Sequence, residues 1–332
     1  MTANSAITLA HLSDLHMPRP GFASPRHWTI KRSLGYINWQ RGRKRAFARE
    51  ATDAIVADLL KKAPDHIAVT GDLTNFGLPD ELDDATKWLT ALGPSSKVSV
   101  VPGNHDIYVP LRSDIGTARW AEYMRSDQYG ASLTAAMNPL PPPGGDIRDA
   151  FPYVRRMGNV ALIGLNSSLP MPPFVAAGVL GQQQLDRLED LLKQLAKNQL
   201  FRLIIVHHPP LKSLAGYRRG LRDANQFADV LRRAGAELVL HGHNHTNTSV
   251  TTEGPNGPVP VIGIAAAGMV KNHKQPGALA RYNLITINDA GTPNCQVHLT
   301  GYGLLSPNGP VVELENRDVP VGRADLGVMA GA

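Results

Sequence analysis

Residues 7–16, ITLAHLSDLH, and residues 238–245, LVLHGHNH, both pass from an apolar run of strand length into aspartate or histidine side chains. Three stretches between them repeat the pattern: HIAVTGD at 66–72, VSVVPGNHD at 98–106 and LIIVHHP at 203–209. Helical periodicity separates several of these strands, which predicts an α/β fold. Because sites in such folds form at the carboxyl ends of strands, we expect the five strand ends to meet in one crevice.

The polar residues at these strand ends supply two carboxylates, one amide and four imidazoles. A mixed oxygen and nitrogen set without thiolate suits zinc, manganese or iron rather than an iron–sulfur cluster. Seven ligands are too many for one ion, whereas two ions about 3.5–4 Å apart that share a carboxylate would use all of them. The sequence therefore predicts a two-metal phosphoesterase site. Its candidate ligands are Asp14, His16, Asp72, Asn104, His243, His245 and one of the pair His207 and His208.

The composition is that of a globular chain with a single cysteine. The 332 residues carry a formal net charge of +6, and Cys295 has no partner for an intramolecular disulfide. No signal peptide is evident at the amino terminus, and no apolar run is long enough to cross a bilayer. We therefore expect a cytoplasmic protein, or one attached peripherally to the inner face of the membrane.

The positive charge is concentrated between residues 15 and 49, which hold nine basic residues and no Asp or Glu. Aromatic residues such as Trp28 and Trp39 alternate with these cations. The segment is interpreted first as a cap that packs on the body of the protein. Residues 26–49 also fit an amphipathic stretch that rests on an anionic membrane surface. Contacts to single-stranded nucleic acid are a third, less favoured interpretation.

The motifs span most of the chain, so we expect one domain over residues 1–316 and a flexible tail over 317–332. Within the domain, residues 17–49 form the basic and aromatic cap insertion, and residues 250–316 form a β-rich flank. Apolar periodicity and capping residues predict the main helices. These are expected at about residues 43–62, 79–92, 182–197 and 224–234.

The ordered motifs D-x-H, G-D, G-N-H-D, His and G-H-x-H resemble those of the calcineurin-like metallophosphoesterases over about 230 residues. The resemblance implies a four-layer αββα sandwich of two mixed β-sheets flanked by helices. It also implies a first metal held by Asp14, His16 and His245. Asp72 would bridge to a second metal held by Asn104, His207 and His243. His207 is preferred to His208 because the family pattern is His-x-Pro.

The same resemblance assigns catalytic roles to the residues after Asn104. His105 would lie near the scissile group and protonate the leaving oxygen, and Asp106 would orient the His105 imidazole by hydrogen bonding. Substrate-binding candidates are less distinct, because exposed cations are common on protein surfaces. They are Arg218, Arg219, Arg222 and His208.

Several substrates are compatible with this site. Residues 31–39, KRSLGYINW, are similar to a segment of the membrane-associated UDP-diacylglucosamine diphosphatases, which favours a lipid-linked nucleotide with a pyrophosphate bond. The alternatives are a cyclic-nucleotide or glycerophosphodiester phosphodiesterase, a nuclease and a scaffold without activity. The scaffold is disfavoured because all seven candidate ligands and His105 are present.

Overall fold

Two six-stranded β-sheets pack face to face in the computed structural model, which describes residues 6–17, 27–110, 115–134 and 150–322. The first sheet has the order β12-β11-β10-β1-β2-β3; β1, β2 and β3 are parallel, and the other pairs are antiparallel. Its strands are β1 (Ile7–Leu12), β2 (His66–Val69), β3 (Val98–Val100), β10 (Arg281–Asn288), β11 (Gln296–Leu304) and β12 (Val311–Val319).

The second sheet has the order β4-β5-β6-β7-β9-β8, in which β5, β6, β7 and β9 are parallel and the two edge strands are antiparallel. Both sheets are therefore mixed, as the resemblance implied. The strands of the second sheet are β4 (Tyr153–Met157), β5 (Val160–Gly164), β6 (Phe201–Val206), β7 (Leu238–His241), β8 (Thr248–Gly254) and β9 (Gly257–Gly263).

Helices flank the two sheets. They are α1 (Ile30–Asn38), a π-helix (Trp39–Arg43), α2 (Lys44–Ala46), α3 (Arg49–Lys61), α4 (Pro79–Leu92), a 3₁₀-helix (Gly116–Met124), α5 (Gln128–Thr134), α6 (Gln182–Lys197) and α7 (Ala224–Ala234). None of them is both long and apolar enough to span a bilayer.

Side-chain alternation along β6 shows how the layers are held together. Leu203 and Ile205 belong to the core between the sheets, whereas Ile204 and Val206 pack with the buried leucines of α6 and with α7. Successive strand residues face opposite sides of a sheet, so each buried strand serves two apolar interfaces. The four-layer αββα sandwich is confirmed.

The predicted helix over residues 43–62 was wrong at its beginning, because α3 starts at Arg49. Phe47 has extended backbone angles and forms an isolated bridge with Met269. Its side chain is buried against Ala266 and Met269, so burial of the ring interrupts the helix. The other three predicted helices coincide with α4, α6 and α7.

The carboxyl-terminal strands differ from the predicted flank in two ways. They are integral to both sheets, because β10 pairs with β1 and β9 pairs with β7. The last strand, β12, reaches Val319, so residues 317–319 of the predicted tail belong to the first sheet. Residues 323–332 of that tail lie outside the described residues.

The described part of the insertion packs on the body, in agreement with the first interpretation of this segment. Trp39 is buried against Phe76 and Leu78. The buried Arg32 guanidinium donates hydrogen bonds to the carbonyl oxygens of His27, Phe76 and Gly77. Residues 18–26 of the insertion, with Arg19 and Arg26, lie outside the described residues.

Candidate dinuclear metal centre

The loops after β1, β2, β3, β6 and β7 meet at one end of the sandwich, where the parallel strands of both sheets finish. Backbone hydrogen bonds join neighbouring loops: the Asp14 amide donates to the Gly71 carbonyl (2.9 Å), and the Gly242 amide donates to the His207 carbonyl (3.1 Å). The His243 amide donates to Oδ2 of Asp14 (2.9 Å), which connects the two sheets. All seven predicted ligand side chains are buried.

The first group of donors contains Asp14, His16, Asp72 and His245, whose potential ligand atoms lie within 4.8 Å of one another. Nε2 of His245 is 3.1 Å from Oδ1 of Asp14 and 3.2 Å from Nε2 of His16. Ligand bonds of about 2.1 Å to one ion place neighbouring donors roughly 3.0–3.4 Å apart. Oδ1 of Asp14 is buried and accepts no hydrogen bond from the described residues. These side chains therefore fit a cation.

The second group is centred on Nε2 of His207. This nitrogen lies 3.2 Å from Nδ1 of His243, 3.2 Å from Oδ1 of Asn104 and 3.4 Å from Oδ2 of Asp72. The same Oδ2 atom is 3.7 Å from Nε2 of His16 in the first group. One carboxylate oxygen thus lies between both donor groups, which is the placement that a bridging ligand requires.

Hydrogen bonds outside the two groups fix the direction of two imidazoles. Nδ1 of His16 contacts the Thr74 carbonyl (3.2 Å), and Nδ1 of His207 contacts the Thr70 carbonyl (2.6 Å). A carbonyl accepts only from N–H, so Nδ1 carries the proton in the neutral rings and the Nε2 lone pair faces the site. Metal-ligating histidines are oriented in this way.

The backbone at the ligands is strained. Nine described residues other than glycine have a positive φ, and five of them are predicted ligands. Left-handed backbone is costly for residues with a Cβ and persists where the surroundings impose it, frequently at functional sites. Glycine is needed beside them, because a Cβ on Gly242 would lie 2.5 Å from Oδ2 of Asp14. The five ligands are Asp14 (54°), His16 (43°), Asp72 (54°), His243 (69°) and His245 (56°).

The two buried carboxylates create a strong demand for positive charge. Burial opposes ionisation of Asp14, but His245 and other nearby imidazoles hold the pKa of its carboxyl below the usual value. Burial alone would lower the pKa of His207, yet Asp72 and Asp14 raise it to about 9. For His16, burial and the cationic Arg43 outweigh Asp72, and its pKa falls well below the usual value. A divalent cation would meet the same demand without protonating any ligand.

Asp106 does not make the predicted hydrogen bond to the His105 imidazole. Oδ1 of Asp106 accepts hydrogen bonds from the amide and hydroxyl of Thr74 (3.0 and 3.1 Å). Oδ2 accepts from the amides of Asp72 (2.8 Å) and Gly103 (2.9 Å). Nδ1 of His105 instead contacts the carbonyl of Asn75 (2.6 Å). Asp106 therefore fixes the loop that carries Asp72, and a backbone carbonyl orients His105.

The other ring nitrogen of His105 has a partner that sequence reasoning missed. Nη1 of Arg43, the last residue of the π-helix, lies 2.7 Å from Nε2 of His105. Burial lowers the pKa of this guanidinium, although Asp72, Tyr108 and Asp14 attract it. The surplus of cations in the insertion was a signal for such a contact, but it did not indicate which of the nine basic residues reaches the site.

A cavity of about 270 Å³ opens over the donor groups and is lined by Asp72, Asn104, His105, His243 and His245. Helix α1 and the π-helix form one wall, and a loop with the exposed Phe174 forms another. Further lining residues from these elements are Lys31, Leu34, Gly35, Asn38, Trp39 and Arg43.

Of the predicted substrate-binding residues, only Arg219 lines this cavity among the described residues. Arg222 instead lies over the ring of Tyr217, and Arg218 is exposed outside the cavity. His208 is fully buried, with Nδ1 2.8 Å from the hydroxyl of Ser167. Its ring lies 4.7 Å from that of His243, and one of its ring nitrogens lies within 4.8 Å of nitrogens of His207 and His243, so it is next to the second donor group. The structure therefore brings one of the four, Arg219, to the cavity.

A fold of two mixed sheets with paired carboxylate, amide and imidazole donors at their strand ends defines a metal-dependent phosphoesterase architecture. The family model of calcineurin-like phosphoesterases matches residues 7–247, so the chain belongs to that family. The family uses a dinuclear metal centre, and the two donor groups described above lie within the matched region.

Curated relatives include phosphodiesterases of two kinds. The chain is 28% identical over 210 residues to a probable cyclic nucleotide phosphodiesterase from Rhodococcus erythropolis, covering 62% of this chain and 59% of that protein. It is 26% identical over 251 residues to the glycerophosphodiester phosphodiesterase GpdQ from Enterobacter lignolyticus, covering 72% and 71%. The chain therefore spans about three-fifths of the length of the Rhodococcus protein.

Among solved structures, a dimetal phosphatase from Danio rerio superposes with a TM-score of 0.52 and 15% sequence identity. The superposition covers 94% of this chain and 99% of the zebrafish protein. At this identity the similarity concerns the fold alone.

Proposed function

We propose that this protein is a metal-dependent phosphodiesterase that hydrolyses a small phosphodiester, such as a cyclic nucleotide or a glycerophosphodiester. The observation that carries the proposal is the position of Oδ2 of Asp72 between the two donor groups, 3.7 Å from Nε2 of His16 and 3.4 Å from Nε2 of His207. The relatives named above favour these substrate classes over a polymer.

In this proposal, Asp14, His16 and His245 hold one ion and Asn104, His207 and His243 hold the other, with Asp72 shared. Two such ions, manganese, iron or zinc, would supply hydroxide at neutral pH and neutralise phosphoryl oxygens. The donor set has no thiolate, which agrees with these metals.

The protein's own residues then act on the substrate from one side of the cavity. His105 faces the cavity, and once Nε2 has taken up a proton it is the group placed to protonate the leaving oxygen, a role for which general acids contribute roughly 10²–10⁴-fold. The Asn75 carbonyl fixes its ring through Nδ1, so Nε2 is the atom that faces the reaction. Asp106 keeps the Asp72 loop in place through its four accepted hydrogen bonds.

The test is hydrolysis of bis(p-nitrophenyl) phosphate by the purified protein with manganese, zinc, iron, cobalt or nickel. We expect Asp72→Asn and His243→Ala to lose metal stoichiometry and activity together. Asp53→Asn, a change of the same type on the exposed face of α3, is the control and should leave both unchanged. Absence of hydrolysis with every metal, despite correct folding, would refute the proposal and favour the scaffold.

A second candidate is a lipid-linked phosphoester at a membrane surface, and one observation favours it. Ile30, Leu34 and Ile37 are 79%, 37% and 48% exposed. Their spacing places them on one side of α1, and Leu34 also lines the cavity. An exposed apolar stripe beside cationic residues is typical of helices that contact anionic bilayers.

Liposome flotation distinguishes this candidate. Vesicles with phosphatidylglycerol should retain the wild type and lose the triple variant Ile30→Ser, Leu34→Ser, Ile37→Ser. Leu305→Ser, which changes an apolar residue that is 73% exposed elsewhere, is the matched control. Equal and negligible retention of all three proteins would remove the lipid candidate and leave the small phosphodiester as substrate.

A further inference from the structure

Arg43 is placed in the site by anchors on both sides of it in the chain. On one side, Trp39 is buried against Phe76, with ring centroids 6.3 Å apart. On the other side, Phe47 packs edge-on against His16, with ring centroids 4.9 Å apart. The Ala48 amide also donates to the Gly268 carbonyl (2.9 Å). The π-helical turn between these anchors brings a surface insertion into contact with the donor groups, and π-helical turns are frequent at functional sites.

The hydrogen bond that Arg43 makes to His105 is weaker than one that it would make to a phosphoryl group. Nη1 lies 2.7 Å from the neutral imidazole of His105. In the part of the chain that the structure describes, no carboxylate forms an ion pair with Arg43. A guanidinium forms stronger, often bidentate hydrogen bonds with a phosphoryl group than with a neutral acceptor.

The geometry also directs Arg43 toward the place where a phosphoryl group would lie. Arg43 and Arg219 both line the cavity together with Asp72. Burial lowers the pKa of both guanidiniums, the Asp14 and Asp72 carboxylates attract both, and the two cations repel each other, so an anion between them would be stabilised. Arg219 approaches from the loop after β6 of the second sheet, with Nη2 3.4 Å from the His243 carbonyl. A group bound over the metal donors would therefore meet a cation from the insertion as well as one from the body.

We propose that Arg43 binds a non-bridging oxygen of the substrate's phosphoryl group, exchanging its hydrogen bond to His105 for this contact. The exchange leaves Nε2 of His105 free to take up a proton from water and to face the leaving oxygen. The insertion is then a part of the active site that contributes to phosphoryl recognition. This inference rests on the phosphodiester hydrolysis proposed above and assigns Arg43 to substrate binding within it.

The test compares Arg43→Gln and Arg43→Lys with Arg41→Gln, which removes an exposed charge from the same π-helix. Calorimetric titration of the metal-loaded protein with inorganic phosphate gives a binding constant that does not depend on turnover. We expect Arg43→Gln to weaken phosphate binding and to lower kcat/KM for bis(p-nitrophenyl) phosphate, each by roughly 10- to 100-fold. Arg43→Lys should recover part of each loss, and Arg41→Gln should match the wild type.

A double-mutant cycle with His105→Ala separates phosphate binding from an indirect effect through the imidazole. Direct contact predicts that Arg43→Gln weakens phosphate binding in the His105→Ala background as well. Loss of the effect there, or equal phosphate binding by Arg43→Gln and Arg41→Gln, would overturn the inference. Should Arg43→Gln fail to fold, the comparison of Arg43→Lys with the wild type decides the same point. A wild type that binds phosphate but never hydrolyses the diester would refute the proposed function instead.

Discussion

Replacement of Asp106 by asparagine tests whether this residue supports the metal loop or the catalytic imidazole. The carboxylate is 4% exposed and accepts four hydrogen bonds, two from Thr74 and one each from the amides of Asp72 and Gly103. In Asp106→Asn, the side-chain NH₂ group replaces one of the two acceptor oxygens. It must then face at least one backbone N–H, from which it cannot accept a hydrogen bond. Loss of one or two of these hydrogen bonds, with a buried backbone amide left unpaired, costs about 2–4 kcal/mol of unfolding free energy.

Urea unfolding and metal titration measure this cost. We expect Asp106→Asn to be less stable by that amount and to bind metal roughly 10- to 100-fold more weakly, because Asp72 loses its support. Excess metal should then restore most of the hydrolysis. Asp53→Asn, on the surface, provides the baseline. An Asp106→Asn variant of unchanged stability and metal affinity, whose kcat stays low at saturating metal, would show that Asp106 acts on His105 and would refute the reasoning.

Three further outcomes are expected. In the metal-free protein, the raised pKa of His207 stabilises the folded state fully below about pH 6.5, and this stabilisation is lost as the pH rises through about 9. Urea unfolding measured between these pH values should show the decline in unfolding free energy. Metal binding at pH 7.5 should release a proton, which calorimetry in two buffers of different ionisation enthalpy detects. Gly242→Ala should weaken metal binding without loss of fold, because its Cβ would collide with the Asp14 carboxylate; metal stoichiometry equal to the wild type would contradict this. Glu237→Ala should lower the unfolding free energy by about 3–5 kcal/mol, because it leaves the buried Arg202 without its partner at 2.6 Å, and should leave metal content unchanged.

The strand ends could be predicted from the sequence because two independent signals coincide there. Apolar runs fix the strands, and the ligand residues follow at the carboxyl ends, where parallel strands of one sheet must finish together. The hydrogen bond from the His243 amide to the Asp14 carboxylate shows that the loops after β1 and β7 are in contact. The sequence therefore predicts that the seven donors are neighbours.

The remaining contacts depend on tertiary packing, which local patterns do not report. The break before α3 follows from burial of Phe47 against Met269, a residue more than two hundred positions away. Asp106 was expected to bond the adjacent imidazole, but backbone amides of Asp72 and Gly103 surround it. The contact between Arg43 and His105 depends on the π-helical turn, for which the sequence has no distinct signature.

The hydrogen bond between His243 and Asp14 joins positions 229 residues apart, one in each sheet. Ions held by side chains from both loops would fasten the two halves of the sandwich to each other. Since such ions favour the folded chain by mass action, their concentration would set how often the halves separate and expose the interior to proteases. Under metal starvation, proteolysis would then lower the amount of the protein in addition to the loss of its catalytic activity.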